Sequence, residues 1–339
     1  MAGPEIGAQP GLAGRESATT DELFAEIDRL AEATRANGDL ESQRRLLALR
    51  HLAGAGLIDA DHAEPRFPSP DADALPSADG LPDISPEQLT PELLRAGILR
   101  DGCLLVRGLI DREQALEFAQ QIDRGFAERN REDEDGSAAE GYYEPFTPDP
   151  RFKQSNRAWV KEGGGLLAVD SPILSFEMLE MFRGAGLREL VGDYLGESPL
   201  ISLQKTTLRK AEPDVVGAWH QDGAFMGDVR SVNLWLSLSR CGDESPGLDL
   251  VPRRLDELVP VATEGTWLAN QVSQQQAEEA AGESGILRPI FEPGDALFFD
   301  ELFLHQTGSD PSMPKPRFAI ESWFFGESAF PTEYAPIAV

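Results

Sequence analysis

The stretch Ala218-Trp219-His220-Gln221-Asp222-Gly223 places an imidazole and a carboxylate two residues apart in a chain with only four histidines. In an extended strand, residues i and i+2 point to the same side, so one metal ion can take a nitrogen from His220 and an oxygen from Asp222. Spacing alone decides little. Asp and Glu make up 59 of 339 residues, about one position in six, so H-x-[DE] arises by chance about once per six histidines. His62-Ala63-Glu64, in a Pro-rich stretch, is such a match. A third group changes the weight. His305 follows the apolar run Ala296-Leu297-Phe298-Phe299. Two neutral imidazoles and one carboxylate on one face of an ion leave three positions open, the arrangement used by non-haem Fe(II) oxygenases. Arg317 then opens the segment RFAIESWFF. A guanidinium turned inward there would hold the distal carboxylate of a dicarboxylate through paired, charge-assisted bonds.

These residues sit among short apolar segments separated by Gly, Pro and Asp: 200–210, 217–222, 232–239, 247–252, 286–291, 296–300 and 317–325. The segment 232–239 alternates strictly, with Val232, Leu234, Leu236 and Leu238 on one face and Asn233, Trp235, Ser237 and Ser239 on the other. Such a series predicts a sandwich or barrel of strands. The first half reads differently. Asp111 caps an amphipathic helix carrying Leu116, Phe118, Ala119, Ile122 and Phe126, behind a strand at 103–110. Residues 132–146 form a charged loop that turns aromatic, and 171–195 are helical. The expected fold is mostly β with flanking helices, around a jelly-roll core.

The expected domain organisation is a disordered N-terminus at 1–19, a helical hairpin at 20–60 broken at Asn37-Gly38, and a linker at 61–87 interrupted by proline. The catalytic domain follows at 88–326 and a C-terminal tail at 327–339. The hairpin has two expected roles, dimerisation of the chain or cover for the barrel.

Composition excludes several classes. A net charge of -29 repels nucleic acid and anionic membranes, both of which require phosphate neutralisation by Lys and Arg. No apolar run is long enough to span a bilayer, and the N-terminus lacks the basic and apolar regions of a signal peptide. Cys103 and Cys241 form no C-x-x-C pair and read as free thiols of a reducing, cytoplasmic setting. No G-x-S-x-G elbow supports a serine hydrolase.

The ordered set WHQDG, NLWLSLS, SPGLDLVP, EPGDALFFDELFLHQTGSD and PRFAIESW resembles the phytanoyl-CoA dioxygenase family of Fe(II)- and 2-oxoglutarate-dependent oxygenases. The opening GILRDGCLLVRGLIDREQALEFAQQID resembles the family's N-terminal strand-helix unit, and the likeness spans roughly 88–326. The resemblance implies a double-stranded β-helix, the cupin-like jelly roll. It implies His220, Asp222 and His305 as metal ligands, and Arg317 as the 2-oxoglutarate clamp with Thr307 beside it. Trp235 and Lys210 fall near positions that line the co-substrate pocket. The implied reaction consumes 2-oxoglutarate and O2 on Fe(II), releases succinate and CO2, and hydroxylates an unactivated C–H bond of a small-molecule substrate. Related halogenases replace the carboxylate with a small residue, so Asp222 favours hydroxylation or desaturation. One departure concerns the substrate. A Pro-Gly-Ser-His turn is common after the family's VP strand, and here the chain reads Val251-Pro252-Arg253-Arg254. A CoA ester would need a basic patch, for which Arg253-Arg254 and Lys205/Arg209/Lys210 are the available residues. The alternative expectation is a non-catalytic or Zn-binding jelly-roll protein that holds a small ligand.

Overall fold

Helix formation in the first third follows from its caps. In the computed structural model of the chain, which describes residues 18–76, 80–136, 140–227, 229–262 and 270–339, helix α1 spans Thr20–Asn37. Thr19 and Glu22 close a reciprocal capping box at its start, and Gly38 ends it at φ 63, a conformation that costs a residue without a Cβ little. Asp39 caps α2, Leu40–Ile58. The segment expected to be disordered lies outside the described residues as far as 17, as do residues 137–139 of the charged loop. The remaining helices are α3 (Pro91–Asp101), α4 (Arg112–Asp135), α5 (Arg157–Glu162), α6 (Pro172–Gly184), α7 (Leu187–Leu195), α8 (Gly223–Met226) and α9 (Gln274–Ala281). The strands are β1 (Asp83–Ile84), β2 (Cys103–Val106), β3 (Gly165–Leu167), β4 (Pro199–Ala211), β5 (Ser231–Ser237), β6 (Gly247–Leu250), β7 (Ala296–Phe299), β8 (His305–Gly308), β9 (Arg317–Gly326) and β10 (Pro336–Ala338).

Eight strands form one sheet in the order β1-β2-β7-β5-β9-β4-β10, with β3 added to β4. All its pairings are antiparallel except β1 with β2. β6 and β8 form a second, small sheet, which single bridges extend on both sides, His220 to His305 and Leu250 to Leu287. The large sheet is buried on both faces. Leu104, Val106, Leu208, Val232, Leu234, Leu236, Phe298, Ile320 and Phe324 turn to a layer shared with α3, α4, α6 and α7. Leu105, Trp235, Leu297, Phe299, Ala319, Trp323 and Phe325 turn the other way, to a layer shared with Leu248, Leu250 and Phe303 from the small sheet and its approach. The two sheets therefore face each other.

The structure departs from the sequence reading at several points. The fold is a mixed sheet with helices rather than mostly β, because helical residues outnumber strand residues among those described. Segments 217–222 and 286–291 form isolated bridges instead of strands, and α4 runs on to Asp135 through the start of the expected loop. Gly186 in the left-handed region breaks the expected 171–195 helix in two. The linker supplies β1 and the tail supplies β10, both on sheet edges, where proline is tolerated. The hairpin is continuous with the core. α2 packs on β10 and α6, and Leu46, Leu49 and Ala53 join the inner apolar layer.

Candidate metal centre

Backbone pairing puts the two histidines side by side. His220 N donates to His305 O at 3.0 Å and His305 N to His220 O at 3.2 Å, and the imidazole centroids lie 4.5 Å apart. Asp222 is not on a strand. It has already turned into helical conformation (φ -63, ψ -27) at the start of α8, yet its carboxylate still meets the rings. One ligand atom from each of His220, Asp222 and His305 lies within 4.8 Å of the others. Asp222 and His305 are buried and His220 is half-buried.

Each ring is held by its far nitrogen. His220 Nδ1 lies 2.7 Å from Ala218 O, and His305 Nδ1 lies 3.0 Å from Phe303 O. A proton on each Nδ1 bonded to a carbonyl leaves each Nε2 bare, the tautomer a metal requires. Burial, and then the neighbouring His220, push the His305 imidazole down to about 4, so it is neutral at physiological pH. Burial opposes the charge on Asp222, but the Lys205 ammonium beside it holds its carboxyl below the usual carboxylate range. Trp323 Nε1 donates to its Oδ2 at 3.1 Å, and Lys205 Nζ lies 3.4 Å from its Oδ1. Two imidazoles held by their far nitrogens and an anchored carboxylate suit a divalent first-row ion, and a centre of three protein ligands keeps positions for exogenous ones.

Arg317 opens β9 and is 3% exposed. Its guanidinium donates to Gly247 O at 3.0 Å and lies 5.4 Å over the Trp235 ring, and its Nε is buried without a partner. It makes no ion pair among the described residues. Burial, the largest influence on it, pulls it down to about 10. Trp235 packs inward against Phe291. Thr307 shares the β8 face of His305, opposite inward Leu248, and the next residue, Gly308, pairs with Gly247, the residue Arg317 reaches. The structure thus brings His220, Asp222, His305, Arg317, Trp235 and Thr307 into the space between the sheets.

Lys210 is not among them. It pairs across the strands with Phe318, on the helix side of the sheet, and its ammonium meets Asp123 of α4 at 2.7 Å. The inward residues of β4 are its neighbours. Arg209 holds Glu321 at 2.9 Å, Thr207 lies opposite Glu321, and Lys205 reaches Asp222. Sequence reasoning missed Glu321 and Trp323, and it named Lys205 and Arg209 only as basic residues for a CoA ester. The signal was a polar residue at every second position of 205–209 and a glutamate inside the apolar strand 317–325. The basic residues considered for a CoA ester do not form one patch: Arg254 pairs with Asp300, while Lys205 and Lys210 face opposite ways. Tyr142, Tyr143 and Phe146 are buried in the helix-side layer.

Two other features lie apart. His62, Glu197 and Glu327 also gather within ligand distance, but Glu197 is taken up by Ser328 and lies 3.7 Å from Arg230. A cavity of ≈ 310 Å³ against β3 is lined by Arg129, Tyr143, Arg157, Lys161 and Asp170. It includes no residue of the triad, and Arg157 and Lys161 are paired with Asp170 and Asp133.

No family model matches the chain, and no curated protein matches it. Among solved structures, the chain is similar to EctD from S. alaskensis with 2-oxoglutarate and 5-hydroxyectoine, at 16% identity over 78% of this chain and 87% of that one, TM-score 0.48. It is similar to AviO1 from Streptomyces viridochromogenes Tue57, at 16% identity over 72% and 98%, TM-score 0.44. It is also similar to SnoN, the non-heme alpha ketoglutarate dependent epimerase from nogalamycin biosynthesis, at 16% identity over 71% and 86%, TM-score 0.43.

Proposed function

We propose that the protein is an Fe(II)- and 2-oxoglutarate-dependent dioxygenase that hydroxylates a C–H bond of a small-molecule substrate. One observation carries the reading. A buried guanidinium without a carboxylate partner, Arg317, opens into the same inter-sheet space as a His-Asp-His centre whose Nε2 atoms are bare. A folded chain keeps a buried, uncompensated cation at high cost, and a dianionic co-substrate removes that cost when it binds.

His220, Asp222 and His305 would hold the iron. Arg317 would take the distal carboxylate, with Thr307 adding a hydroxyl and Trp235 forming the apolar wall beneath the guanidinium. With iron bound at that centre, O2 would be the oxidant, one of its oxygen atoms going to the succinate formed from 2-oxoglutarate with loss of CO2 and the other to the substrate C–H bond. The chain's own residues position and exclude. Ala218 O and Phe303 O fix the rings, Trp323 fixes the carboxylate, and Phe299, Phe303 and Trp323 keep bulk water from that side. Lys205, beside Asp222 and over the Phe225 ring at 3.7 Å, stands where a substrate would approach.

The test is anaerobic titration of the metal-free protein with Fe(II) and 2-oxoglutarate, read by the visible metal-to-ligand charge-transfer band. A band in wild type that disappears in His220→Ala, and that needs far more 2-oxoglutarate in Arg317→Ala, supports the reading. Metal binding without any band from folded wild type would leave a metal-binding, non-oxidising jelly-roll protein in its place.

A further inference from the structure

On the inner face of the large sheet, one side chain outside the proposed chemistry is wholly without hydrogen-bond partners. Asn233, on β5, is 0% exposed, and neither its amide nitrogen nor its amide oxygen has a hydrogen-bond partner. It is the one side chain among the described residues with two such atoms. Buried amides in folded proteins are almost always satisfied, and an exception points to a group supplied from outside the chain.

The direction of the side chain follows from the strand. Val232, Leu234 and Leu236 join the helix-side layer, so Asn233 turns inward with Trp235. Its cross-strand neighbours are Phe299 on β7 and Trp323 on β9. Both touch the metal centre: the Trp323 indole donates to Asp222, and the Phe299 ring lies 4.9 Å from the His305 ring. Two residues along β5, Trp235 lies under Arg317. β5 therefore presents inward a residue at the metal end, Asn233, and a residue at the clamp end, Trp235. A dicarboxylate with one end on Arg317 and the other on the metal would lie along this face of β5.

We propose that Asn233 is a binding residue for the metal-end carboxylate of the co-substrate, to which its Nδ2 donates. This assignment rests on the oxygenase reading for the identity of the co-substrate. Its structural premise, that the chain itself offers the amide no partner, is independent of that reading.

The experiment uses the full chain with Asn233→Leu and Asn233→Ala, beside Arg317→Ala. The melting temperature of metal-free protein and the 2-oxoglutarate Kd of anaerobic Fe(II)-loaded protein are both measured. Removing an orphaned amide leaves the metal-free Asn233→Leu protein as stable as wild type or more so. The same change weakens 2-oxoglutarate binding about 10–100-fold, the effect of one hydrogen bond to a charged group. If wild type binds and Arg317→Ala weakens it, but both Asn233 variants stay within twofold of wild type, the assignment fails and the oxygenase reading stands. If wild type does not bind 2-oxoglutarate at all, the oxygenase reading fails and takes the assignment with it. A fall of more than about 5 °C in both metal-free variants also overturns it, because the amide then serves the fold rather than a ligand.

Discussion

The two faces of the large sheet are equally buried and chemically opposite. On the helix side, β5 and β9 present Val232, Leu234, Leu236, Ile320 and Phe324, all at 0% exposure. Several polar groups there have partners, although Gln121 Oε1 and Arg129 Nε of α4 do not. Thr206 and Ser322 bond each other, and Asp170 is matched by Arg157 and by the Phe146 amide. His51 of α2 has both nitrogens satisfied, Nδ1 by Pro336 O and Nε2 by the Asp149 amide. On the inner face, the same two strands present Asn233, Trp235, Arg317, Glu321 and Trp323. Asn233 and Arg317 keep unpartnered atoms, and His220 and His305 each have one nitrogen held and the other bare. Burial does not separate the two faces of β5 and β9; on these two strands hydrogen-bond satisfaction does. A buried polar group with its partners supplied stabilises the fold, whereas one left open stabilises a complex with something else.

That contrast predicts separable phenotypes. The largest effect belongs to the triad. His220→Ala or Asp222→Ala should lower Fe(II) affinity more than about 100-fold, measured as metal retained after gel filtration, because a three-ligand centre cannot spare one. Near-wild-type retention by both variants would place the metal elsewhere. Arg317→Ala should weaken 2-oxoglutarate binding about several hundredfold, since an interaction of this kind is worth roughly 3–5 kcal/mol, while metal retention is unchanged. An unchanged Kd would remove Arg317 from the site.

On the other face the signs reverse. Phe324→Ala should cost about 3–5 kcal/mol of unfolding free energy and leave the Fe(II) affinity of the folded protein alone. Loss of metal without loss of stability would dissolve the distinction between the faces.

A smaller effect concerns pH. Burial, opposed by the Pro336 carbonyl, lowers the His51 pKa below its ordinary 6.5. The unfolded chain therefore takes up this proton before the folded one does. The His51 contribution is complete above the unfolded pKa and is lost as pH falls through the folded pKa. Melting curves between pH 7 and pH 5 should show wild type losing more stability than His51→Gln, and parallel curves would count against it. Smallest of all, Lys210→Ala should change stability by less than about 1 kcal/mol, as expected for a largely exposed ion pair with Asp123, and should not move the 2-oxoglutarate Kd. A tenfold weaker Kd would return Lys210 to the pocket.

The metal group was legible in the sequence because it depends on type, order and local spacing. H-x-D, a distal histidine and an arginine fall among apolar segments of strand length, and the alternation through 232–239 marks two faces. The break of the hairpin was legible for the same reason, since Gly38 and Asp39 act on their immediate neighbours. The strand parity of β4 was not legible. Between Ile201 and Thr206 its pairing with β9 shifts register, and such an irregularity exchanges the faces that sequence counting assigns. Lys210 therefore faces the helices, while Arg209 and Lys205 face the site.

The small sheet was overread. Segments 217–222 and 286–291 look like strands locally, yet each forms only isolated bridges to its neighbours. The tail was underread, because β10 exists only where β4 offers an open edge. By itself, the sequence determined which residues could bind a metal and a dicarboxylate. Tertiary structure decided that Asp222 meets the rings from a turn, that Arg317 has no anion of its own, and that Asn233 lies between Trp323 and Phe299 with its amide open. Periodicity is written in neighbouring residues, whereas hydrogen-bond satisfaction depends on partners about a hundred positions away, as with Trp323 and Asp222.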